Sequence, residues 1–302
     1  MPAISIIVPV YNAAAYVRRC LDTLVNQTFR DIEILCCDDC STDISAQFLK
    51  KYAAQDKRIQ VLSTPENCGA GVARNICLDV AQGEYVCFVD ADDCADLKMC
   101  ERLLHWATTH DAELVHSQRR LRGEKEKGEP FLRNPRTGEA VPEGPAKKHP
   151  FLLFFPGWQP WGKLIKRQLI ERHSIRFPEL RVSEDMPFSF EVGLLAEPVV
   201  LTYESLYIYT RSRPGAHGND RGPNRFDIFK SIDLAAAMFK RHGAYEQHSY
   251  PFRFTVQQYL LTFCYPRVAT QWRKEFYEKL RTFLESLPPK HLTKEAQRFL
   301  AK

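Results

Sequence analysis

The stretch Tyr85-Val86-Cys87-Phe88-Val89-Asp90-Ala91-Asp92-Asp93 decides the fold. Its apolar run reads as a short strand buried on both faces. It delivers three carboxylates within four residues straight off the strand end. Like charges side by side repel, so packing gives no reason for them. A hard divalent cation does, because Mg²⁺ or Mn²⁺ takes carboxylate oxygens together with substrate phosphates. Side-chain alternation puts Asp90 and Asp92 on the same side if strand geometry persists. Taken alone, the segment also reads as an acidic turn capping a helix near Leu97.

Further strands lie on either side. Ile4 to Val10 is a β-branched run ended by Pro9 and Asn12; Ile32 to Cys37, Ile59 to Leu62 and Ala112 to His116 follow the same pattern. Helical spacing fills the gaps. Val17, Cys20, Leu21 and Leu24 recur on one face, with Asn12 as candidate cap. Ser41-Thr42-Asp43 opens a helix carrying Ile44, Phe48 and Tyr52; Val72 to Ala81 is a third helix, and Leu97, Cys100, Leu104 and Ala107 mark a fourth. Strands alternating with helices predict an α/β fold with a mostly parallel central sheet flanked by helices. Ligands then sit beyond the carboxyl ends of the strands. Val199 to Tyr209 reads as a later strand, and residues 221–302 as helical.

Other strand ends also carry chemistry. The first is Pro9-Val10-Tyr11-Asn12, the second Asp38-Asp39-Cys40-Ser41-Thr42-Asp43, and the third leads to Asn67-Cys68-Gly69-Ala70-Gly71-Val72-Ala73-Arg74-Asn75. Such a set suits a nucleoside diphosphate, with Tyr11 against the base, Asp39 accepting from a base N–H, and Arg74 near base or phosphate. The glycine pair is not a G-x-G-x-x-G. A helix starting at Val72 does not use it as an opening, which disfavours a dinucleotide fold.

Composition bounds the rest. The chain has 302 residues, 44% hydrophobic and 26% charged, which excludes a disordered tail, a collagen or a coiled coil. Its apolar runs fall far short of the roughly 20 residues of a bilayer span. Ile4 to Val10 lacks the basic start of a secretory signal, so a cytoplasmic chain is expected. Nine of the ten cysteines lie between Cys20 and Cys100, several inside apolar runs, and read as buried reduced thiols. Zinc would need paired C-x-x-C spacings, and only Cys37-x-x-Cys40 occurs. Residues 1–118 hold 10 Lys and Arg against 17 Asp and Glu; residues 119–302 hold 32 against 20. An acidic front half suits a cation, and a basic back half suits a diphosphate or a phospholipid surface. A plain scatter of surface charge is the alternative, and no nucleic-acid module is recognisable. Residues 119–150 hold nine Gly and Pro and nine Lys and Arg, and read as a surface excursion, a candidate mobile insertion.

Four segments in order, SIIVPVYN at 5–12, CDDCSTD at 37–43, NCGAGVARN at 67–75 and FVDADD at 88–93, resemble family 2 glycosyltransferases of the GT-A fold. The resemblance covers about the first 115 residues. It implies an inverting enzyme using a UDP-sugar with Mn²⁺ or Mg²⁺. It implies Asp39 on the uracil, Asp90 near ribose or metal, and Asp92 as metal ligand. Pro9, Tyr11, Asn67, Gly69, Arg74 and Ala91 complete the implied donor pocket. Cys40 departs from the glycine usual there. More loosely, Trp161-Gly162-Lys163-Leu164 and Ser183-Glu184-Asp185-Met186-Pro187-Phe188 resemble segments of capsule and lipopolysaccharide members. Asp185 then stands as general base, with Trp161, Lys163 and Glu184 on the acceptor side. An acceptor hydroxyl must lose a proton while a diphosphate leaves, which calls for a base and a cation on opposite sides of the sugar. Read without the family, Glu184-Asp185 is a helix N-terminus and Trp161 a core residue beside a surface Lys163. The resemblance also implies a basic loop closing over the diphosphate, and Tyr209-Thr210-Arg211-Ser212-Arg213 sits at its place. His217 beyond it is a candidate third ligand and equally an exposed histidine.

The expected organisation is a nucleotide-sugar-binding half over 1–118, an acceptor-binding half over 119–220 and a helical, basic extension over 221–302. The extension, with 15 Lys and Arg against 7 Asp and Glu, suits contact with an anionic membrane where a lipid-linked acceptor sits. Two rival functions follow from the same residues. A metal-dependent phosphohydrolase would carry its D-x-D on the first strand, whereas here it follows the fourth. A catalytically silent nucleotide-sugar-binding subunit would have no need for the full carboxylate set.

Overall fold

The computed structural model describes residues 1–123, 141–146, 158–210 and 221–301. Among these, nine strands form one sheet: β1 (Ile4–Val10), β2 (Ile32–Asp38), β3 (Ile59–Ser63), β4 (Tyr85–Phe88), β5 (Cys94–Ala95), β6 (Leu114–Leu121), β7 (Gly144–Ala146), β8 (Lys163–Lys166) and β9 (Val199–Tyr209). The order is β3-β2-β1-β4-β8-β6-β9-β5, with β7 also on β9. Strands β3, β2, β1 and β4 are mutually parallel, and β6 runs parallel to β9; β8, β5 and β7 are reversed. The sheet is therefore mostly parallel, as expected. Insertion of β8 between β4 and β6 was not foreseen, because four residues, Lys-Leu-Ile-Lys, carry almost no strand signal of their own.

Helices cover both faces. They are α1 (Val17–Val25), α2 (Ser45–Gln55), α3 (Ala70–Val80), α4 (Met99–Thr109), α5 (Arg167–Arg172), α6 (Asp185–Leu195), α7 (Asp227–Arg241), α8 (Tyr245–Tyr259), α9 (Thr270–Glu285) and α10 (Lys294–Leu300). Period-two alternation explains the layering. Ile4, Ile6, Val8 and Val10 of β1 join Ile34 and Cys36 of β2 in one core, which packs on α1 and α4. Ile7 of β1, Leu35 and Cys37 of β2 and Val86 and Phe88 of β4 point the other way, into a core with α3 and α6. All ten cysteines are reduced, and eight of them are buried.

Four local expectations change. Asn12 does not cap α1, which starts at Val17 after Tyr16. Its Oδ1 instead accepts the N–H of Thr42 at 2.8 Å, and its φ of 45° turns the chain off β1. Helix α3 opens at Ala70, not Val72, so the glycine pair does open it. Gly69 sits at φ 94°, and a Cβ on Gly71 would lie 3.0 Å from Glu184 Cγ and Pro178 O. The pair thus serves a turn and a close approach between helix and loop. The inward stripe of α4 is Met99, Cys100, Leu103 and Ala107, while Leu97 precedes the helix and is exposed. Within 119–150, β6 continues to Leu121 and β7 pairs with β9, so part of that stretch is regular.

The C-terminal helices build a separate core with Trp158, Met186 and Phe190. Helix α6 joins the two regions. Met186 and Phe190, four apart, face the helical extension, whereas Phe188 and Val192 face the sheet. Losing a buried Phe of this kind costs about 3–5 kcal/mol, so the start of α6 is held from two sides. No described helix is long and apolar enough to cross a membrane.

Candidate functional site

A cavity of about 450 Å³ opens beyond the carboxyl ends of β1, β2 and β4. Among its lining residues are Pro9, Tyr11, Asp39, Asn67, Arg74, Asp90, Ala91, Asp92, Trp161, Glu184 and Asp185. Eleven of the expected site residues therefore meet in one space, although they span positions 9 to 185. Gly69 and Lys163 are not among the lining residues, and His217, with Arg211, Ser212 and Arg213, falls outside the described residues.

The acidic strand end forms one wall. Carboxylate oxygens of Asp90, Asp92 and Asp93 lie within 4.8 Å of one another. Asp93 is committed elsewhere, since its oxygens accept from Tyr207 Oη and Thr210 N, each at 2.7 Å. Burial and the charges of Asp90 and Asp92 push the Asp93 carboxyl up to about 8. Such crowding is what a divalent cation relieves, and Asp90 and Asp92 are the carboxylates of this strand end that could hold one. The backbone of the loop is fixed by Arg19, which donates to Asp92 O at 3.0 Å and to Thr210 Oγ1 at 3.1 Å.

Arg74 links this wall to the next. Its guanidinium is 4% exposed and donates to Asp90 Oδ1 at 2.9 Å and to Glu184 Oε1 at 2.8 Å. It lies over Phe177, which stacks on Phe188 at 3.8 Å. Both terminal nitrogens thus hold carboxylates, so Arg74 joins the acidic strand end to the start of α6. Glu184 is the N-cap of α6 and Asp185 its first residue. Among the described residues, the Asp185 carboxylate takes no side-chain hydrogen bond. Burial first, then Glu184 and Asp90, raise it to about 8, with Arg74 opposing.

The remaining expected residues fall as follows. Asp39 is 2% exposed and accepts from Thr64 Oγ1 at 2.8 Å, Cys68 N at 2.7 Å and Gly69 N at 2.8 Å. Gly69 thus serves the pocket through its N–H. Tyr11 is 37% exposed, an aromatic face open to the cavity. Asn67 is tied to Arg181 through its side chain and carbonyl. Trp161 stacks on Tyr207 at 4.6 Å, and Arg119 covers Trp161 and Tyr209. Lys163 is buried and donates to Gln159 O. Burial pulls its ammonium down to about 8, against the pull of Asp185.

Sequence reasoning missed Arg119, Trp158, Arg225, Tyr259 and Phe263, which also line the cavity. Arg119 sits on β6, within the stretch read as an excursion. Tyr259 and Phe263 belong to an aromatic-rich helix whose spacing looks like ordinary core, so nothing in their neighbourhood signals a wall.

Comparison with known proteins places this geometry. Residues 5–173 match the sequence profile of glycosyl transferase family 2. EpsH of Bacillus subtilis (strain 168) is 35% identical over 221 residues, 69% of this chain and 60% of that protein. The poly(ribitol-phosphate) beta-glucosyltransferase of Bacillus spizizenii is 32% identical over 218 residues, 71% of this chain and 33% of that protein. The chain thus spans less than two thirds of the length of these relatives. Staphylococcus aureus TarS 1–349, in complex with UDP-GlcNAc, superposes with a TM-score of 0.75 at 22% identity, covering 96% of this chain and 83% of that one. The fold is the GT-A fold.

Proposed function

The chain belongs to glycosyl transferase family 2, and from that premise we propose that it moves a sugar from a UDP-sugar to a hydroxyl of a glycan or lipid-linked acceptor, with inversion, in cell-surface polysaccharide synthesis. One observation carries the reading: an acidic strand end and, at a helix start, a buried carboxylate that takes no side-chain hydrogen bond among the described residues line the same cavity. The UDP-GlcNAc complex of TarS supports a UDP-sugar as donor.

Tyr11 offers its face to the base, and Asp39, braced by Cys68 N–H and Gly69 N–H, keeps lone-pair capacity for a base N–H. Asp90 and Asp92 hold Mn²⁺ or Mg²⁺ when it is bound. That ion supplies charge stabilisation for a leaving diphosphate. Asp185 accepts the proton of the acceptor hydroxyl, and its raised pKa makes it a competent base near neutral pH. Glu184 is occupied by Arg74, which leaves one catalytic carboxylate on this side and suits single displacement rather than a covalent intermediate. Trp161, with one face on Tyr207, flanks the acceptor space. The positive balance of residues 221–302 supports contact with an anionic membrane surface, checked by co-sedimentation with phosphatidylglycerol vesicles.

A thermal-shift panel of nucleotide-sugars with Mn²⁺ identifies the donor, because a ligand that binds only the folded state raises Tm. With that donor, Asp92→Ala and Asp185→Asn are expected to abolish transfer, the second by about 10²–10⁴ in kcat. Full turnover by Asp185→Asn removes the base assignment. UDP binding indifferent to Mn²⁺, with no hydrolysis of any UDP-sugar, would favour a silent binding subunit. The anomeric configuration of the product, read by NMR, tests inversion.

A further inference from the structure

The acidic strand end is gripped from behind. Residues 90–93 form a tight turn, closed by Asp93 N–H donating to Asp90 O at 2.9 Å. The first amide of the turn, Asp90 N–H, donates to Tyr207 Oη at 3.2 Å, and the Cys20 thiol donates to Asp90 O at 3.6 Å. Arg19 holds the far end. Its Nη2 donates to Asp92 O at 3.0 Å and to Thr210 Oγ1 at 3.1 Å, and its Nε meets the Cys94 sulfur at 3.2 Å. Thr210 completes the circuit, because its own N–H donates to Asp93 Oδ1 at 2.7 Å. Asp90 and Asp92 line the cavity, whereas Arg19, Cys20, Tyr207 and Thr210 are not among its lining residues. The turn is thus tied to α1 on one side and to the end of β9 on the other.

An arginine is a costly choice for a plain tether here. Among the described residues Arg19 forms no ion pair, and its guanidinium serves three uncharged acceptors. Its charge would work against a cation at the neighbouring carboxylates, since like charges repel. What the guanidinium supplies is direction. Its planar fork meets Asp92 O, Thr210 Oγ1 and the Cys94 sulfur at once, which a lysine cannot do. The peptide that carries the Asp92 side chain is therefore fixed against two elements. Partners behind a metal site act in this way, by orienting the ligands, and losing one costs about 10–100-fold in affinity. Fixed carboxylates also discriminate between ions. Mg²⁺ demands short, near-octahedral oxygen ligation, whereas Ca²⁺ accepts longer and looser arrangements.

We infer that Arg19, together with Thr210, is a positioning residue of the cation site: the pair fixes the turn so that Asp90 and Asp92 are aligned before a small divalent ion arrives, and so favours Mg²⁺ and Mn²⁺ over Ca²⁺. The inference rests on the proposed binding of UDP and a cation at these strand ends. Neither residue touches the ion or the donor; both act through the backbone of the turn.

The test follows Mn²⁺ uptake in the presence of UDP, read from the free-ion signal in electron paramagnetic resonance, with Mg²⁺ and Ca²⁺ measured by displacement of Mn²⁺. Uridine binding without metal, by titration calorimetry, reports the base pocket and the fold. Thr210→Val deletes the hydroxyl and keeps the N–H bond to Asp93, and Arg19→Lys keeps the charge and loses the fork. Each is expected to weaken Mn²⁺ by about tenfold or more with uridine affinity unchanged, and to weaken Mg²⁺ more than Ca²⁺. Thr210→Ser retains the hydroxyl and should stay within about threefold of the parent. Thr210→Val, the smaller change, decides if an Arg19 variant no longer binds uridine. A lowered Tm with Mn²⁺ affinity kept makes the pair a structural tether and overturns the inference. So does a loss that Thr210→Ser shares in full, or an equal loss of Mg²⁺ and Ca²⁺. Tighter Mn²⁺ binding by Arg19→Met, with Arg19→Lys matching the parent, shows that charge alone acts and overturns it too. A parent protein that binds uridine but takes up no Mn²⁺ with UDP removes the cation site itself, and the positioning role falls with it.

Discussion

Replacing Arg74 with Met tests how the two halves of the site are joined. The substitution keeps an unbranched apolar stem against Phe177 and deletes the guanidinium. Removing one partner of a buried ion pair costs about 3–5 kcal/mol, because the remaining charge stays buried and unpaired. Two carboxylates are orphaned here, but not equally. The Glu184 side chain is 12% accessible, whereas Asp90 is 28% accessible and is largely relieved by water. Arg74 Nε is itself buried without a hydrogen-bond partner among the described residues, a penalty of about 1–3 kcal/mol that the substitution removes. The lower end of the range follows, a loss of about 3 kcal/mol, read as a fall in the urea midpoint at constant slope. Adding Glu184→Gln should recover about 1 kcal/mol or more, since it deletes the orphan that water reaches least. Activity reports independently. Arg74 is the charge that opposes the rise of Asp185, so the rising limb of the pH–rate profile should move to higher pH. A stability loss under about 1 kcal/mol, the size of a solvated surface pair, together with an unmoved limb, refutes the reasoning.

Further substitutions have defined outcomes. In the parent protein Asp185 is held above the ordinary carboxylate range, chiefly by burial and Glu184; kcat/KM should climb as pH rises through that value, and Glu184→Gln should shift the limb to lower pH. Cys40 takes φ 56° where only its sulfur, 3.3 Å from Thr64 O, compensates; Cys40→Gly should raise stability by about 0.5–1 kcal/mol in urea titration, left-handed strain outweighing the entropy of glycine. A Cβ on Gly83 would lie 2.5 Å from Ser5 N, so Gly83→Ala should cost about 2 kcal/mol or more in the same assay. Gly71→Ala presses on Glu184 Cγ and Pro178 O at 3.0 Å; a shift passed to Asp185 should lower kcat about tenfold with donor affinity kept, measured by steady-state kinetics.

The parallel half of the sheet was legible because its strands are buried on both faces and so read as continuous apolar runs. Ile4–Val10 was placed to the residue and Tyr85–Val89 to within one. The acidic strand end was legible for the same reason: three carboxylates where packing wants none. What escaped depends on tertiary partners. Strand β8 exists because β4 and β6 offer it edges, not because Lys-Leu-Ile-Lys prefers extension. The first turn of α3 admits Gly69 and Gly71 because the 177–184 segment packs against it, a demand invisible along the chain. Arg74 was expected at base or phosphate, and the structure shows its terminal nitrogens on Asp90 and Glu184. A single sequence cannot announce a partner 110 residues away.

The thiols buried behind the sheet make the chain its own unfolding reporter. Cys20, Cys36, Cys87 and Cys100 belong to one sheet core, Cys37 and Cys77 to the other, and Cys264 alone to the helical extension. Burial lifts Cys36, Cys100 and Cys264 to about 12, so in the native state an aromatic disulfide reagent reaches chiefly Cys40 and Cys68, the two that are not buried. If the extension opens by itself, Cys264 reacts ahead of the rest; if the molecule opens as a whole, all eight buried sulfurs react on one clock.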